Sequence, residues 1–313
     1  MGILACSDLI TGSSRVAADE PSARKDTPLE HPRAAPRALL AAARTWGCQY
    51  QNIRIEELAA SDLDLIVVEP LLDGATWQPI TPDEIARLKR RPDGSRRLVF
   101  AYLCVGEASS ARPYWDGRWH TDPPAWLGPS NSEWPGAYAV RHWDPAWRDI
   151  VLSDEPSGLG GILSAGYDGA FLDRVDGYMT WQKSNPAAGD SMVSLISEIA
   201  STAQKASPGF LLMSQNAEML LERSDYRQQI DAVSKESLIF GLKGESLRNP
   251  ESDIAWSRTR LEIAKASGLP IFTIEYLSEP KLIAEASAMF AKWDYRAFFG
   301  VRLLDRLPNS HRA

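Results

Sequence analysis

Two carboxylates close a short apolar segment of the chain, and their position suggests catalysis. Residues 166–173 read GYDGAFLD, so that Asp173 ends the apolar run, and Asp176 follows three residues later beside further aromatic residues. A charged side chain at the end of a buried strand is costly unless it is paired or has a function. We therefore predict that Asp173 stands in an active site.

More acids and amides follow the other apolar runs of the chain. The positions at or just beyond the ends of these runs are Gln49, Tyr50, Gln51, Glu69, Glu107, Gln215, Asn216, Glu236, Glu275 and Tyr276. Carboxylates that converge from separate strands can supply the proton donor and the ionised partner that cleavage of a glycosidic bond requires. Repulsion between two such groups moves their pKa values apart, which suits these two roles.

Other chemistries have less support in the sequence. The four histidines have no HxH or HExxH spacing, so neither a catalytic metal nor any other cofactor is expected. The chain has no GxSxG elbow, and its glycine-rich segment at 158–161 lacks the Lys-Ser or Lys-Thr of a P-loop. A net charge of -7 argues against nucleic acid as a partner.

Strand-like runs alternate with amphipathic helical segments from about residue 44 onward. The predicted strands are 46–50, 63–69, 98–105, 169–173, 210–214, 232–234, 270–274 and 297–303, and the predicted helices are 81–90, 145–152, 191–206, 217–221, 252–267 and 279–292. Eight such repeats predict an α/β fold, a single (β/α)8 TIM-type barrel over residues 41–313. Too few residues follow the last strand for a full helix, so the eighth helix should be truncated or missing. The basic residues between 87 and 97 precede the third strand and should form a solvated loop at the opposite rim.

The first 40 residues have a different composition, rich in Ser, Ala, Arg and Pro without periodicity. We expect residues 1–40 to be a disordered tether. Ile3-Leu4-Ala5-Cys6 is similar to the end of a bacterial lipoprotein signal, but the preceding part of such a signal is missing. Either the start lies upstream and Cys6 is a lipid anchor, or the similarity is accidental. The expected location is extracellular or on the cell surface.

A loop after the third strand is unusually aromatic. Six of the eleven tryptophans lie between residues 115 and 147. Aromatic rings can stack on the apolar faces of sugars, or they can form a small core that holds the loop on the barrel. We favour the core for Trp143 and Trp147. For Tyr114, Trp115 and Trp119 we favour contact with ligand, because they follow Glu107 and a possible ligand clamp, Arg112. Cys48 and Cys104 should be buried free thiols.

Several of these segments together resemble glycoside hydrolase family 114. They are AYLCVGEA at 101–108, RPYW at 112–115, GYDGAFLDRVDGY at 166–178, SQNAE at 214–218, and Glu236. The family comprises endo-α-1,4-polygalactosaminidases and hydrolase regions of exopolysaccharide-biosynthesis proteins, and the resemblance runs from about residue 46 to residue 304.

The resemblance implies a barrel that cleaves α-1,4-linked, galactosamine-containing polysaccharide, with retention of configuration expected. It implies Asp173 as the nucleophile and Glu236 as the acid/base, although the two roles could be exchanged. Together with the strand-end positions, it gives a sugar site of Tyr50, Glu107, Arg112, Tyr114, Trp115, Asp176, Tyr178, Gln215, Asn216, Glu275 and Tyr276. Glu69 and Glu275 stand where the family often has Asp, which leaves the sugar and its acetylation open. The alternative is a barrel that binds polysaccharide without cleaving it.

Overall fold

The computed structural model describes residues 33–72 and 77–307, and in it eight parallel strands form the wall of a (β/α)8 barrel, as predicted. Hydrogen bonds join the strands in the order β1, β2, β3, β7, β8, β9, β10, β11. The strands β4, β5 and β6 form a small antiparallel sheet inserted after β3. The bounds are β1 Trp46–Gln49, β2 Leu65–Val68, β3 Leu98–Cys104, β4 Glu107–Ser109, β5 Leu127–Ser130, β6 Ala137–Val140, β7 Gly169–Asp173, β8 Leu211–Gln215, β9 Ala232–Glu236, β10 Ile271–Glu275 and β11 Arg296–Phe299.

The helices lie between these strands and cover the outside of the barrel. Their bounds are α1 Ala34–Ala42, α2 Ile55–Ala59, α3 Pro82–Leu88, α4 Pro145–Leu152, α5 Leu159–Ala165, α6 Ala188–Ala206, α7 Ser224–Arg227, α8 Glu251–Ala266 and α9 Pro280–Trp293. Residues 217–221, predicted as α-helix, instead lie in a 3-10 turn at Glu218–Glu222. Between β11 and residue 307 the described chain has no helix, as expected for the eighth repeat. No helix of the described residues is both long and apolar enough to cross a membrane.

Helix α1 corrects the boundary predicted at residue 40. Leu40 and Ala43 are buried in the barrel core with Trp46, and the Arg37 guanidinium binds Asp231 at 2.6 Å, just before β9. Residues 34–40 are therefore a helix against the amino-terminal end of the barrel, and their assignment to a disordered tether is wrong. Tertiary contacts hold this short helix, which has no side-chain cap. The chain to residue 32, with Cys6, lies outside the described residues.

The barrel closes between β11 and β1 through hydrogen bonds of a side chain and of loop backbone. The Trp46 indole donates to the carbonyl of Arg296 at 2.9 Å, and the backbone N–H of Tyr50 donates to the carbonyl of Leu304 at 2.8 Å. A cavity of about 1010 Å³ lies outside this join, lined by α2 and residues 305–307, where an eighth helix would stand. Neither candidate carboxylate lines it.

Contrary to the prediction, the basic residues before β3 do not all lie in a solvated loop, because Arg87 belongs to α3 and Arg97 is buried. Lys89 and Arg96 both pair with Asp168, at 2.8 and 2.5 Å. The guanidinium of Arg97 is buried and donates to the carbonyls of Leu58, Leu63 and Leu88. Cys48 and Cys104 are free thiols, and Cys48 is buried.

Candidate active site

Strand alternation places a ring of polar side chains at the carboxyl end of the barrel. Residues two apart on a strand share a face, and Phe171 and Met213 belong to the barrel interior. The next inward positions on these two strands are Asp173 and Gln215. The same alternation brings Tyr50, Glu69, Tyr102, Glu236 and Tyr276 to this end of the interior.

Asp173 occupies the last position of β7. The hydroxyl of Tyr102 donates to its Oδ2 at 2.6 Å, and the Tyr102 ring lies 4.6 Å from the ring of Tyr50. Burial raises the pKa of Asp173 to about 7, and the nearby negative charge of Glu236 adds to the shift. Asp173 and Glu236 end β7 and β9, which flank β8 in the sheet, so the two carboxyl groups share one mouth.

Glu236 ends β9 and has a donor on each carboxylate oxygen. The side-chain amide of Asn216 donates to Oε1 at 3.0 Å, and the hydroxyl of Tyr276 donates to Oε2 at 2.7 Å. Asn216 has a φ of 55°, in the left-handed region that Asn adopts more readily than most residues. Two donors hold the Glu236 carboxylate in one orientation.

Glu107 and Asp176 flank Arg174, a residue that we did not predict for the site. Arg174 binds Glu107 at 2.9 Å and approaches Asp176 at 3.9 Å. Asn131 also donates to Glu107, at 3.0 Å. Burial raises the pKa of both carboxyl groups, and Arg174 opposes the shift. The sequence could have indicated this role, because Arg174 lies between Asp173 and Asp176 in the chain.

Two buried acceptors remain open in this region. Within the described residues, Gln215 Oε1 and Asp176 Oδ1 are shielded from solvent and accept no hydrogen bond. Buried polar atoms without partners are rare in native structures, and a bound ligand is one explanation for them. Both atoms are suited to accept hydrogen bonds from sugar hydroxyl or ammonium groups.

Arg112 does not have the free guanidinium of a ligand clamp. Both its terminal nitrogens bind the buried carboxylate of Glu69, with Nη2 at 2.6 Å from Oε2. The guanidinium also lies over the ring of Tyr102, 5.8 Å from its centroid. The pair supports the tyrosine that binds Asp173, so Arg112 acts on the site through other residues.

Tyr114, Trp115 and Trp119, predicted to contact ligand, pack on other aromatic rings of the loop and do not line the groove beside Glu236. The ring of Trp115 stacks on Tyr138 at 5.0 Å, and Trp119 meets Trp126 edge to face at 5.0 Å. The Tyr114 ring packs on Trp147, and all three residues contact the core outside the barrel. These aromatics therefore form the small core that was the alternative. Tyr178, also predicted to bind sugar, is buried in the same core.

Glu275 turns away from the mouth and is a further correction. Its carboxylate is fully buried and accepts the backbone N–H groups of Ile239 and Phe240, at 2.8 and 3.2 Å. Burial raises the pKa of Glu275 to about 7. The next residue, Tyr276, is the one that reaches the site. Glu275 holds the loop after β9 in place.

An open groove of about 400 Å³ runs beside Glu236. Glu107 and Tyr276 line it, together with residues that we did not predict, among them Asn131, Trp134, Arg174 and Arg302. Trp134 lies in the aromatic loop, and Arg302 lies in the last predicted strand. Of the predicted site residues, Glu107, Glu236 and Tyr276 line this groove, and Tyr50, Asp173, Asp176, Gln215 and Asn216 lie at the same end of the barrel. Arrangements of this kind can place one glycosidic bond against two carboxyl groups.

The chain is similar to known proteins over most of its length. The family model of Glycoside-hydrolase family GH114 matches residues 30–299. An uncharacterized protein of Deinococcus radiodurans is 31% identical over 275 residues, which are 86% of this chain and 83% of that protein. An uncharacterized protein of Thermotoga maritima is 32% identical over 243 residues, 75% of this chain and 71% of that protein.

Two solved structures share the fold. The glycoside hydrolase domain of PelA from Pseudomonas aeruginosa has a TM-score of 0.63 and 23% identity, over 85% of this chain and 97% of that domain. Ega3 of Aspergillus fumigatus, solved in complex with galactosamine, has a TM-score of 0.61 and 17% identity, over 85% of this chain and 94% of that one.

Proposed function

The chain belongs to glycoside hydrolase family GH114, and we propose that it is an endo-acting hydrolase of α-1,4-linked, galactosamine-containing polysaccharide. The observation that carries the proposal is the position of Asp173 and Glu236 at the ends of β7 and β9, two strands apart at one mouth, where tyrosine and asparagine donors hold both carboxyl groups. The galactosamine bound to Ega3, which has the same fold, supports the choice of sugar.

In the proposed mechanism, two successive displacements at the anomeric carbon give retention of its configuration. Glu236 donates its proton to the glycosidic oxygen as the bond from that oxygen to the anomeric carbon breaks, and Asp173 forms an ester with that carbon. Water then attacks the anomeric carbon and gives its proton to Glu236, and the bond to Asp173 breaks. Tyr102 and the Tyr276–Asn216 pair keep the two carboxyl groups in position through both steps.

Free amino groups on the substrate would suit the acidic part of the mouth. The positive charge of Arg174 is offset by Glu107 and Asp176, which leaves Asp173 and Glu236 facing the substrate. An ammonium group at this point is attracted to the carboxylates. Because salt screens such attraction, we expect KM for a de-N-acetylated polymer to rise with ionic strength.

The test is release of reducing ends from de-N-acetylated α-1,4-galactosamine polymer. Asp173→Asn and Glu236→Gln should each lower kcat by about 1000-fold or more. The control is Glu57→Gln, which changes an exposed carboxylate on α2 that does not line the groove and should keep full activity. Unimpaired release by both site variants would remove the proposed pair. Polymer binding without release by the unmodified protein would instead support a binding barrel.

The stereochemistry can be read from the first product. Proton NMR should show the α-anomer at the new reducing end before mutarotation, as retention requires. First appearance of the β-anomer would indicate inversion, in which Asp173 activates water and forms no ester.

We also propose that the protein acts outside the cell or on its surface, with Cys6 as a lipid anchor when translation starts upstream. The support is the Ile3-Leu4-Ala5-Cys6 segment. A chain expressed from an upstream start should incorporate labelled palmitate, and its Cys6→Ala variant should not. Equal labelling of the two would contradict the anchor.

A further inference from the structure

One wall of the groove is built by an exposed aromatic ring. Trp134 is 43% exposed at the tip of the loop between β5 and β6, and it lines the groove together with Glu236. The loop is anchored, because Asn131 donates to Glu107 at 3.0 Å and Ser110 N–H donates to the carbonyl of Gly136 at 2.8 Å. An exposed indole on an anchored loop is a ready platform for a sugar ring.

Arg302 connects this platform to the acid/base. Its guanidinium lies 5.3 Å from the ring centroid of Trp134 and 5.7 Å from that of Tyr276. The Tyr276 hydroxyl in turn donates to Glu236. Trp134 and the group that protonates the glycosidic oxygen thus line one groove and are linked through Arg302 and Tyr276, so the platform serves a unit close to the cleaved bond.

The charge of the groove changes sign at Arg302. The Arg302 side chain is 55% exposed, and Glu133, its ion-pair partner, is 3.7 Å away and still more exposed, at 76%. Such a pair is weak and screened, so the guanidinium keeps most of its field and its donors. It repels an ammonium group, whereas it can donate to a neutral acetamido carbonyl or hydroxyl group.

We propose that Trp134 and Arg302 form a subsite that selects an uncharged sugar unit, N-acetylated or without an amine, next to the unit whose ammonium group meets the carboxylates. This inference rests on the proposed function. It predicts that the preferred polymer alternates or mixes charged and uncharged units, and that neither full acetylation nor full deacetylation gives the best substrate.

The experiment compares kcat/KM on three α-1,4-galactosamine polymers: fully de-N-acetylated, about half N-acetylated and fully N-acetylated. The unmodified protein should be fastest on the half-acetylated polymer. Trp134→Ala should lose about 3- to 10-fold on that polymer. Arg302→Glu should lower the ratio of half-acetylated to fully de-N-acetylated rates by about 5- to 10-fold, because it replaces repulsion of the ammonium with attraction.

The matched control is Trp256→Ala. Trp256 is also 43% exposed and also lies under an arginine, Arg260, at 4.0 Å, but it does not line the groove. All variants should keep the unfolding temperature of the unmodified protein, since the changed side chains are exposed. A Trp134→Ala profile identical to that of Trp256→Ala, or an unchanged ratio in Arg302→Glu, would overturn the subsite.

Product analysis gives a second readout, and the two proposals can fail separately. Mass spectrometry of the products should find an uncharged unit at one constant position beside the cut, and random placement would count against the subsite. If Asp173→Asn loses all release but Arg302→Glu keeps the ratio of half-acetylated to fully de-N-acetylated rates, the subsite is overturned and the proposed function stands. Full release by Asp173→Asn and Glu236→Gln, or no release from any polymer, would overturn the proposed function as well.

Discussion

Asn216 donates a hydrogen bond from Nδ2 to Oε1 of Glu236 at 3.0 Å. Its Oδ1 accepts from the ammonium group of Lys235 at 3.2 Å and from the backbone N–H of Glu236 at 3.3 Å. An ammonium group has only donors, so Lys235 keeps the carbonyl end of the amide toward itself and the NH2 end toward Glu236. The orientation of the acid/base thus depends on a neighbouring buried lysine.

Lys235→Met should lower both stability and kcat. Lys235 pairs with Glu218 at 3.3 Å, and both side chains are almost buried. Burial alone would raise the pKa of Glu218, but Lys235 and Ser257 reverse this and lower it. The single variant leaves an uncompensated buried charge, so the free energy of unfolding should fall by about 3–5 kcal/mol, as measured in urea.

The double variant Lys235→Met/Glu218→Gln separates the two effects. It buries no charge, so most of the stability should return. Its kcat should stay about 10-fold lower with little change in KM, because Asn216 can now rotate away from Glu236. Full recovery of kcat in the double variant would show that Lys235 has no positioning role.

The pH profile of kcat/KM should have an acid limb near neutrality. Burial, with the charge of Glu236, raises the pKa of Asp173 to about 7. A nucleophile must be ionised, so kcat/KM should fall as the pH drops through about 7. Glu275 has a pKa raised to about 7 but lies away from the groove, so Glu275→Gln should keep this acid limb. A profile without a fall below about pH 7 would contradict the role of Asp173 as nucleophile.

Asp173→Asn should make the protein more stable at alkaline pH. The pKa of Asp173 is higher in the folded than in the unfolded chain, so ionisation favours unfolding as the pH rises through about 7. The neutral amide avoids this cost and can still accept from Tyr102. The unfolding temperature of the variant should exceed that of the unmodified protein at pH 8, and the difference should shrink toward pH 4. An equal difference in unfolding temperature at pH 8 and pH 4 would contradict the raised pKa of Asp173.

The pair of Arg112 and Glu69 should support the site without binding substrate. Burial raises the pKa of Glu69, and Arg112 opposes that shift. Arg112→Met should destabilise by about 3–5 kcal/mol, since it leaves Glu69 unpaired. Arg112→Met/Glu69→Gln should recover most of that stability and keep the KM of the unmodified protein. A large rise in KM in the double variant would restore Arg112 as a ligand clamp.

Glu275→Ala should destabilise the protein with little effect on catalysis. The change leaves the buried N–H groups of Ile239 and Phe240 without an acceptor, which should cost about 2–4 kcal/mol. Glu275→Gln keeps one acceptor oxygen and should lose less. At a temperature at which both variants are folded, their kcat/KM should stay within about twofold of that of the unmodified protein. A selective rise in KM would mean that Glu275 meets the sugar after all.

The sequence by itself determined the barrel and the two carboxyl groups at its mouth. Apolar runs separated by helical segments indicate parallel strands, and parallel strands bring their carboxyl ends to one rim. Asp173, Gln215 and Glu236 each end such a run, so their meeting follows from strand direction and a two-residue period alone.

Tertiary structure decided which of these neighbours turn inward and which distant residues join them. Glu275 and Tyr276 are adjacent at one strand end. The packing of Phe272 and Ile274 in the barrel interior sets the phase of the alternation, which points Tyr276 inward and Glu275 outward to the N–H groups at 239–240. Helix α1 has little intrinsic signal and exists because Asp231 and the barrel core hold it. Trp134 and Arg302 lie on loops far apart in the chain, and no local pattern encodes a contact that exists only once the barrel has closed.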